Sequence, residues 1–389
     1  MRKMPDTMAR LAALRTRQGD QGPGSVSPGR LSTLADFGTN PGNLKARCYR
    51  PSDLPDGAPL VVVLHGCTQA AAGYDRHAGW SRLADEAGFA LLYPEQHHGN
   101  NSHLCFNWFQ PGDIRRDSGE ALSIRQMIEA MVVAHGLDRN RIFITGLSAG
   151  GAMTSVMLAT YPEVFAGGAI IAGLAYGRAA TVPEAFECMS GRGRVPDTAL
   201  WQLLRAASHH SGRWPRVTIW QGTADQTVVP SNADDIVTQW RSVHQVDAAP
   251  TVSEVRGSRT IRTWCNATGD AVIELNTVAG LGHGTPIGDE LGVPGPYMLD
   301  VGISSTREIV RFWGIADPRD VAAAPQPYPA ARDAPAISMP PAAGPDGPMT
   351  SRPGQRGPDD GPSPILAGHR ASGVRKIIED ALRAAGLMP

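Results

Sequence analysis

Short apolar runs alternate with helical patterns along much of this sequence, and this alternation limits the possible folds more than any other feature. Residues 60–64 read LVVVL, an uninterrupted, largely β-branched run that is typical of a strand covered on both faces. Similar runs begin near residues 89, 142, 168, 217 and 272, and helical patterns lie between several of them. Such alternation predicts a mostly parallel, doubly wound sheet of the α/β class with helices on both faces.

Composition divides the 389 residues into four stretches. Residues 1–42 are predicted to form an N-terminal tail and lead-in, and residues 43–315 the main domain. Residues 316–370 hold 13 of the 32 prolines and have no apolar period, which predicts a Pro-rich, unstructured linker. Residues 371–389 regain a helical apolar period, which predicts one amphipathic helix. A helix that short is marginal alone, so we expect it to dock on the main domain or on a partner.

Charge and hydropathy exclude several classes of partner. Lys and Arg total 36 against 37 Asp and Glu, so a nucleic acid or an anionic membrane is not expected as a partner. No apolar run is long enough for a transmembrane helix. The basic N-terminus has no continuous apolar segment and so does not resemble a signal peptide, which leaves a cytoplasmic location open.

The most informative motif is G-x-S-x-G at residues 146–150 (GLSAG). It follows a predicted strand and precedes a predicted helix, which is the setting in which this motif forms a sharp turn that exposes a nucleophilic serine. Such a turn needs small neighbours, and Gly146 and Gly150 provide them. The alternative is a Gly-rich turn whose serine only caps a helix. The position of the motif favours Ser148 as a nucleophile.

A serine hydroxyl becomes a good nucleophile only when a base accepts its proton. His283 follows a predicted strand in a Gly-rich loop downstream of the serine, which indicates this base. Asp225 also follows a strand and is predicted to orient the imidazole. Three other carboxylates compete for that role, two at a helix start and one in an expected hairpin turn: Asp234, Asp235 and Asp270.

Acyl transfer also needs two backbone N–H groups that stabilise an oxyanion. Ala149 is expected to supply one, and the loop after residues 60–64 the other, from Cys67 or alternatively from Thr68. His65 is expected to brace this loop, and the candidate substrate contacts are His65, Thr68 and Trp108. The chemistry requires neither cofactor nor metal, and no C-x-x-C pair suggests a zinc site.

Three segments together resemble the polyhydroxybutyrate depolymerase family of esterases: residues 64–69 (LHGCTQ), 104–109 (LCFNWF) and 146–153 (GLSAGGAM). The resemblance runs from about residue 43 to residue 315. It implies an α/β-hydrolase fold, cleavage of polyester, acyl or feruloyl-type esters, and a disulfide between Cys67 and Cys105. It also implies an extracellular location.

Residues 177–215 lie between two predicted strands and contain a helical pattern, so we expect a small helical cap over the acyl pocket. Three aromatic side chains are expected either to line that pocket or to belong to the core: Phe106, Trp108 and Phe109.

The predicted function is hydrolysis of a carboxylic ester through an acyl-enzyme, with polyhydroxybutyrate or hydroxyalkanoate oligomers as the expected substrate. An acetylxylan- or feruloyl-type carbohydrate ester is the alternative. A prolyl-oligopeptidase-like peptidase is disfavoured because no propeller-like repeats precede the domain. A protein that binds granules or a partner and keeps residual hydrolase activity is the alternative of another class, with the C-terminal helix as its anchor.

Overall fold

A ten-stranded sheet forms the centre of residues 29–315, the part of the chain that the computed structural model describes. Its strands are β1 (Ser32–Thr33), β2 (Lys45–Tyr49), β3 (Leu60–Leu64), β4 (Ala90–Glu95), β5 (Ile142–Leu147), β6 (Gly167–Ile171), β7 (Arg216–Gly222), β8 (Val252–Arg256), β9 (Arg259–Cys265) and β10 (Ala271–Val278). Their spatial order is β1-β2-β4-β3-β5-β6-β7-β10-β9-β8. A separate parallel pair joins β11 (Thr285–Ile287) to β12 (Met298–Asp300).

The helices of residues 29–315 cover both faces of this sheet. They are α1 (Ala71–Ala78), α2 (Trp80–Ala87), α3 (Gly119–His135), α4 (Ala149–Thr160), α5 (Val182–Met189), α6 (Asp197–Ala206), α7 (Ser231–His244) and α8 (Ser305–Trp313), with one 3-10 turn at Pro162–Val164. Side chains of α3, α4 and α7 pack in one apolar cluster, and those of α1, α2 and α8 in another. No helix within the described range is long and apolar enough to cross a membrane.

The six central strands, from β4 to β10 in the spatial order, run parallel, and the outer strands at both ends pair antiparallel. This confirms the predicted mostly parallel α/β sheet. Strand β3 explains the LVVVL run: Leu60, Val62 and Leu64 face one cluster while Val61 and Val63 face the other. An apolar residue is therefore required at every position, because neither face meets water.

Two predictions about chain organisation differ from the structure or lie beyond it. The sheet begins ahead of the predicted boundary at residue 43, because β1 pairs with β2 at Ser32 and Cys48, and Leu34 packs against the core. A two-residue strand has too little pattern to be found in the sequence. The predicted linker at 316–370 and the predicted helix at 371–389 lie outside the described residues.

The segment between β6 and β7 contains α6, as its helical pattern predicts, and also α5, which was not predicted. Both helices contact α7. The indole N–H of Trp201 donates to the carbonyl of Thr238 at 3.0 Å, and the Asn232 amide donates to the carbonyl of Met189 at 3.2 Å. Helix α7 follows the loop that contains Asp225. The placement of this segment over an acyl pocket stays a prediction.

Candidate active site

Ser148 lies at the sharp turn between β5 and α4, with φ 57° and ψ −117°. Residues other than glycine rarely adopt this backbone conformation, so the surrounding packing must impose it on Ser148. A Cβ on Gly146 would lie 2.3 Å from the Gly150 carbonyl oxygen, and one on Gly150 would lie 2.4 Å from the carbonyl oxygen of Leu64. The turn therefore needs glycine at both positions, which is the physical reason for the G-x-S-x-G spacing.

His283 and Asp225 form a hydrogen-bonded pair. His283 Nδ1 lies 2.8 Å from Asp225 Oδ2, with side-chain exposures of 10% and 0%. The other carboxylate oxygen, Oδ1, accepts from the backbone N–H groups of Thr227 and Val228, each at 2.9 Å. The Gln221 amide donates to Oδ2 at 3.2 Å. The three donors Gln221, Thr227 and Val228 hold the carboxylate in one orientation. The carboxylate in turn holds the imidazole of His283 with Nδ1 toward it.

The three competing carboxylates have other partners. Asp234 pairs with Arg262 at 3.5 Å on the surface, and Asp235 pairs with Arg178 at 3.3 Å. The Asp270 carboxylate accepts hydrogen bonds from Thr268 and Asn266 in its own turn. Within residues 29–315 the carboxylate that contacts the imidazole of His283 is Asp225.

Sheet topology brings the predicted site residues to one edge. Ser148 follows β5, Asp225 follows β7 and His283 follows β10, and the carboxyl ends of these parallel strands lie at the same edge of the sheet. The loop after β3 lies beside Ser148. A Cβ on Gly66 in that loop would be 3.5 Å from the carbonyl oxygen of Leu147, the residue before the serine. No hydrogen bond joins Ser148 Oγ to His283 among the described residues, and such contacts commonly tighten when substrate binds.

Two backbone N–H groups beside the serine are free of hydrogen bonds within residues 29–315. Ala149 is the first residue of α4, and the first N–H groups of a helix have no partner inside the helix. The backbone N–H of Cys67 also makes no hydrogen bond there, whereas the N–H of Thr68 donates to the His103 carbonyl at 2.7 Å. This geometry favours Cys67 over Thr68 as the second oxyanion donor.

The loop after β3 is held from below by His65. Its Nδ1 lies 2.8 Å from the Gly66 carbonyl oxygen, and its Nε2 accepts from the backbone N–H of Gln96 at 3.1 Å. Nδ1 therefore carries the proton. Burial lowers the pKa of the imidazole, which keeps it neutral. The ring is 1% exposed and both nitrogens have partners, as expected of a brace. This burial argues against the predicted substrate contact of His65.

A disulfide joins Cys67 to Cys105, the pairing that the family resemblance implies. It attaches the loop after β3 to the segment of residues 96–118. In that segment Phe106 is fully buried against the His65 ring, with ring centroids 5.0 Å apart. Trp108 is only 8% exposed and packs edge-on against Phe109. Phe106 is thus a core residue. The burial of Trp108 argues against its predicted substrate contact. The side chain of Thr68 is exposed, as a substrate contact requires.

Glu120, at the start of α3, was not predicted to contribute to the site. Its carboxylate is fully buried and accepts from the Gln96 amide at 2.7 Å and from the Asn107 backbone N–H at 2.9 Å. Burial is the main reason that its pKa is raised to about 8. Gln96 connects this carboxylate to His65. In the sequence Glu120 resembles an ordinary acidic residue in the first turn of a helix, so no local signal distinguishes it.

Gln69 and Gln221 are two further polar residues that the sequence did not indicate. Gln69 Oε1 accepts from the Gly66 backbone N–H at 2.8 Å, and its amide donates to the Pro296 carbonyl at 3.3 Å. Gln221 contacts Asp225, as described above. A polar residue at the end of an otherwise apolar strand is a weak signal that could have pointed to Gln221.

Comparison with known proteins places this chain among esterases. The sequence profile of the family described as Esterase PHB depolymerase matches residues 46–259, which is 214 of 389 residues. Poly(3-hydroxyalkanoate) depolymerase C of Paucimonas lemoignei is 46% identical over 293 residues, covering 73% of this chain and 70% of that protein. An acetylxylan esterase of Coprinopsis cinerea is 31% identical over 268 residues, covering 67% and 71%.

Among solved structures, the acetyl xylan esterase from Aspergillus awamori superimposes with a TM-score of 0.64 at 26% identity, covering 74% of this chain and 99% of that chain. The family profile spans more than half of the sequence, and the relatives and the fold agree with it. The chain therefore belongs to the PHB depolymerase family of esterases, carboxylic ester hydrolases with the α/β-hydrolase fold.

Proposed function

We propose that this chain hydrolyses 3-hydroxyalkanoate oligomers of the polyhydroxybutyrate type, with Ser148 as the nucleophile that forms an acyl-enzyme. The observation that carries the proposal is the 46% identity to a poly(3-hydroxyalkanoate) depolymerase, against 31% to an acetylxylan esterase over a similar length. The hydrogen-bonded pair of His283 and Asp225 supports the proposed mechanism.

In the first step His283 removes the proton of Ser148 Oγ through Nε2, and the oxygen attacks the ester carbonyl carbon. Asp225 keeps the proton on Nδ1, so that Nε2 is the basic nitrogen, and stabilises the imidazolium that forms. The strained backbone at Ser148 holds Oγ out from the turn toward the substrate. The alcohol then leaves with the proton from His283, and the acyl group stays on Ser148.

The backbone N–H groups of Cys67 and Ala149 stabilise the oxyanion. The N-terminal end of α4 adds the partial positive charge of a helix start at the same place. In the second step His283 activates a water molecule, which attacks the acyl-enzyme and releases the hydroxy acid. These steps balance with water as the only co-reactant, and all proton transfers pass through His283.

An acetylxylan- or feruloyl-type carbohydrate ester is the second candidate substrate. It is favoured by the structural match, in which the chain covers 99% of an acetyl xylan esterase. Both candidates use the same acyl-transfer chemistry and differ in the alcohol that leaves. The residues beyond the scissile ester therefore decide between them, and substrate comparison is the direct test.

The test is a hydrolysis panel with the full-length wild type and Ser148→Ala. The panel contains a short-chain nitrophenyl ester, 3-hydroxybutyrate oligomers, amorphous polyhydroxybutyrate, and acetylated and feruloylated xylan. We expect the highest kcat/KM on the 3-hydroxybutyrate oligomers. Ser148→Ala should lower kcat at least roughly 10⁴-fold, because the nucleophile and its base act as a unit.

Ser253→Ala is the matched control, since Ser253 is exposed on the edge strand β8 and should not affect turnover. Preference for the xylan esters would assign the chain to carbohydrate esters instead. Turnover by Ser148→Ala equal to that of the wild type would refute the mechanism.

A further inference from the structure

The loop between β11 and β12 exposes apolar side chains beside the site. Two of the five large apolar side chains that are exposed in residues 29–315 lie in this loop, Val293 and Tyr297, and a third, Val301, directly follows β12. Pro294 and Pro296 are exposed among them. We call residues 291–297 (LGVPGPY) the rim loop. Such clustering marks a contact surface more than scattered exposed residues do.

Tyr297 occupies a strained position in this loop. The backbone N–H of Met298 donates to the Gly295 carbonyl at 3.0 Å, which closes a four-residue turn with Pro296 second and Tyr297 third. Tyr297 has φ 61°, and a turn with proline second and a positive φ third normally places glycine there. A bulky aromatic residue at positive φ is unusual and calls for an explanation by function.

The turn is attached to both sides of the site. The backbone N–H of Thr285, two residues after the base, donates to the Tyr297 carbonyl at 2.8 Å. From the other side, the Gln69 amide donates to the Pro296 carbonyl at 3.3 Å. The Tyr297 ring therefore has a defined place, edge-on to the imidazole of His283 with ring centroids 6.0 Å apart.

Packing alone does not explain an aromatic side chain at this position. Tyr297 is 44% exposed, and its hydroxyl has no hydrogen-bond partner within residues 29–315. Glycine would adopt the same backbone without strain. The aromatic ring is therefore best explained by a contact with a bound substrate.

We propose that Tyr297 is a specificity-determining residue that packs against the alcohol portion of the scissile ester. This inference rests on the proposed function. His283 gives its proton to the leaving alcohol, so a ring beside the imidazole flanks the leaving oxygen rather than the acyl group. In an oligomer that alcohol is the next hydroxyacyl unit, whose alkyl groups match the apolar rim loop.

The test compares two esters that have the same acyl group and different alcohols: methyl 3-hydroxybutyrate and the linear dimer of 3-hydroxybutyrate. Full-length wild type, Tyr297→Phe and Tyr297→Gly are assayed on both. We expect Tyr297→Gly to lower kcat/KM for the dimer roughly tenfold, mainly through KM, and to leave the methyl ester unchanged. Tyr297→Phe should match the wild type on both esters, because the hydroxyl makes no hydrogen bond.

The melting temperature separates this role from a structural one. Tyr297→Gly should melt no lower than the wild type, because glycine accepts the positive φ. An equal loss on both esters, or a clear fall in melting temperature, would overturn the inference while the proposed function stands. A wild type that cleaves neither ester would overturn both together.

Discussion

Two regions meet at Ser148 from opposite sides of β5, and they are stabilised in different ways. The oxyanion side consists of residues 65–69 with the segment 96–120. It is held by a disulfide that spans 38 residues and by buried polar contacts between Gln96, His65 and Glu120. The base side consists of residues 221–228 and 280–285. There the carboxylate of Asp225 is held by donors within four residues of it in the chain.

The difference shows which property each side controls. On the base side, short-range contacts orient one carboxylate, so a substitution there should affect the chemistry far more than the stability. On the oxyanion side, the same contacts that place the Cys67 N–H also join separate parts of the domain. A substitution there should therefore change stability and turnover together.

Asp225→Asn tests the base side. The asparagine amide would donate to His283 Nδ1 and leave the proton on Nε2, so the imidazole could not accept the proton of Ser148. We expect kcat to fall roughly 10³–10⁴-fold with only a small change in melting temperature. Steady-state kinetics and thermal unfolding measure both. Asp234→Asn, at an exposed carboxylate, is the control and should keep full activity. A large fall in melting temperature for Asp225→Asn would contradict the contrast.

Removal of the disulfide by the double substitution Cys67→Ser and Cys105→Ser tests the oxyanion side. We expect the free energy of unfolding to fall by about 2–4 kcal/mol, because the unfolded chain regains the freedom of a closed loop. Turnover should fall as well, since the Cys67 N–H is less well placed. Urea unfolding and esterase assays measure these effects. Cys265→Ser, at a free cysteine, is the control. Unchanged turnover per folded molecule would show that the disulfide does not position the Cys67 N–H.

Glu120→Gln is expected to have the smallest effect. A glutamine amide offers one acceptor oxygen where Glu120 uses two, so a buried donor loses its partner and stability at pH 7 falls by about 1–3 kcal/mol. Because the pKa of Glu120 is raised from 4.5 to about 8, the folded state binds more protons than the unfolded state between these values. The stability from protonated Glu120 is therefore complete below about pH 4.5 and is lost as pH rises through about 8.

Urea unfolding of wild type and variant between pH 4.5 and pH 8 measures this dependence. The wild type should lose stability as pH rises across this range, and Glu120→Gln should lack that part of the slope. Glu187→Gln, at an exposed carboxylate, serves as the control and should keep the slope of the wild type. A variant that keeps the full slope would show that Glu120 does not titrate there.

Elements with strong local patterns were predictable. The strand at residues 60–64 has the predicted bounds, because an apolar run is a property of neighbouring residues. The edge strand β8 was not predicted, since a strand of mostly exposed residues lacks an apolar pattern. Helix α1 was also missed, because its mixed polar sequence has only a weak period.

For the site, the residue types that acyl transfer needs, and their order after successive strands, could be predicted from the sequence. That was possible because G-x-S-x-G is a constraint on the backbone of five consecutive residues. The roles of the surrounding side chains, in contrast, follow from the tertiary structure. It buried His65 and Trp108, engaged the Thr68 N–H, and placed Glu120 and Tyr297 at the site. These roles depend on contacts between residues far apart in the chain. The local sequence around each residue therefore does not predict them.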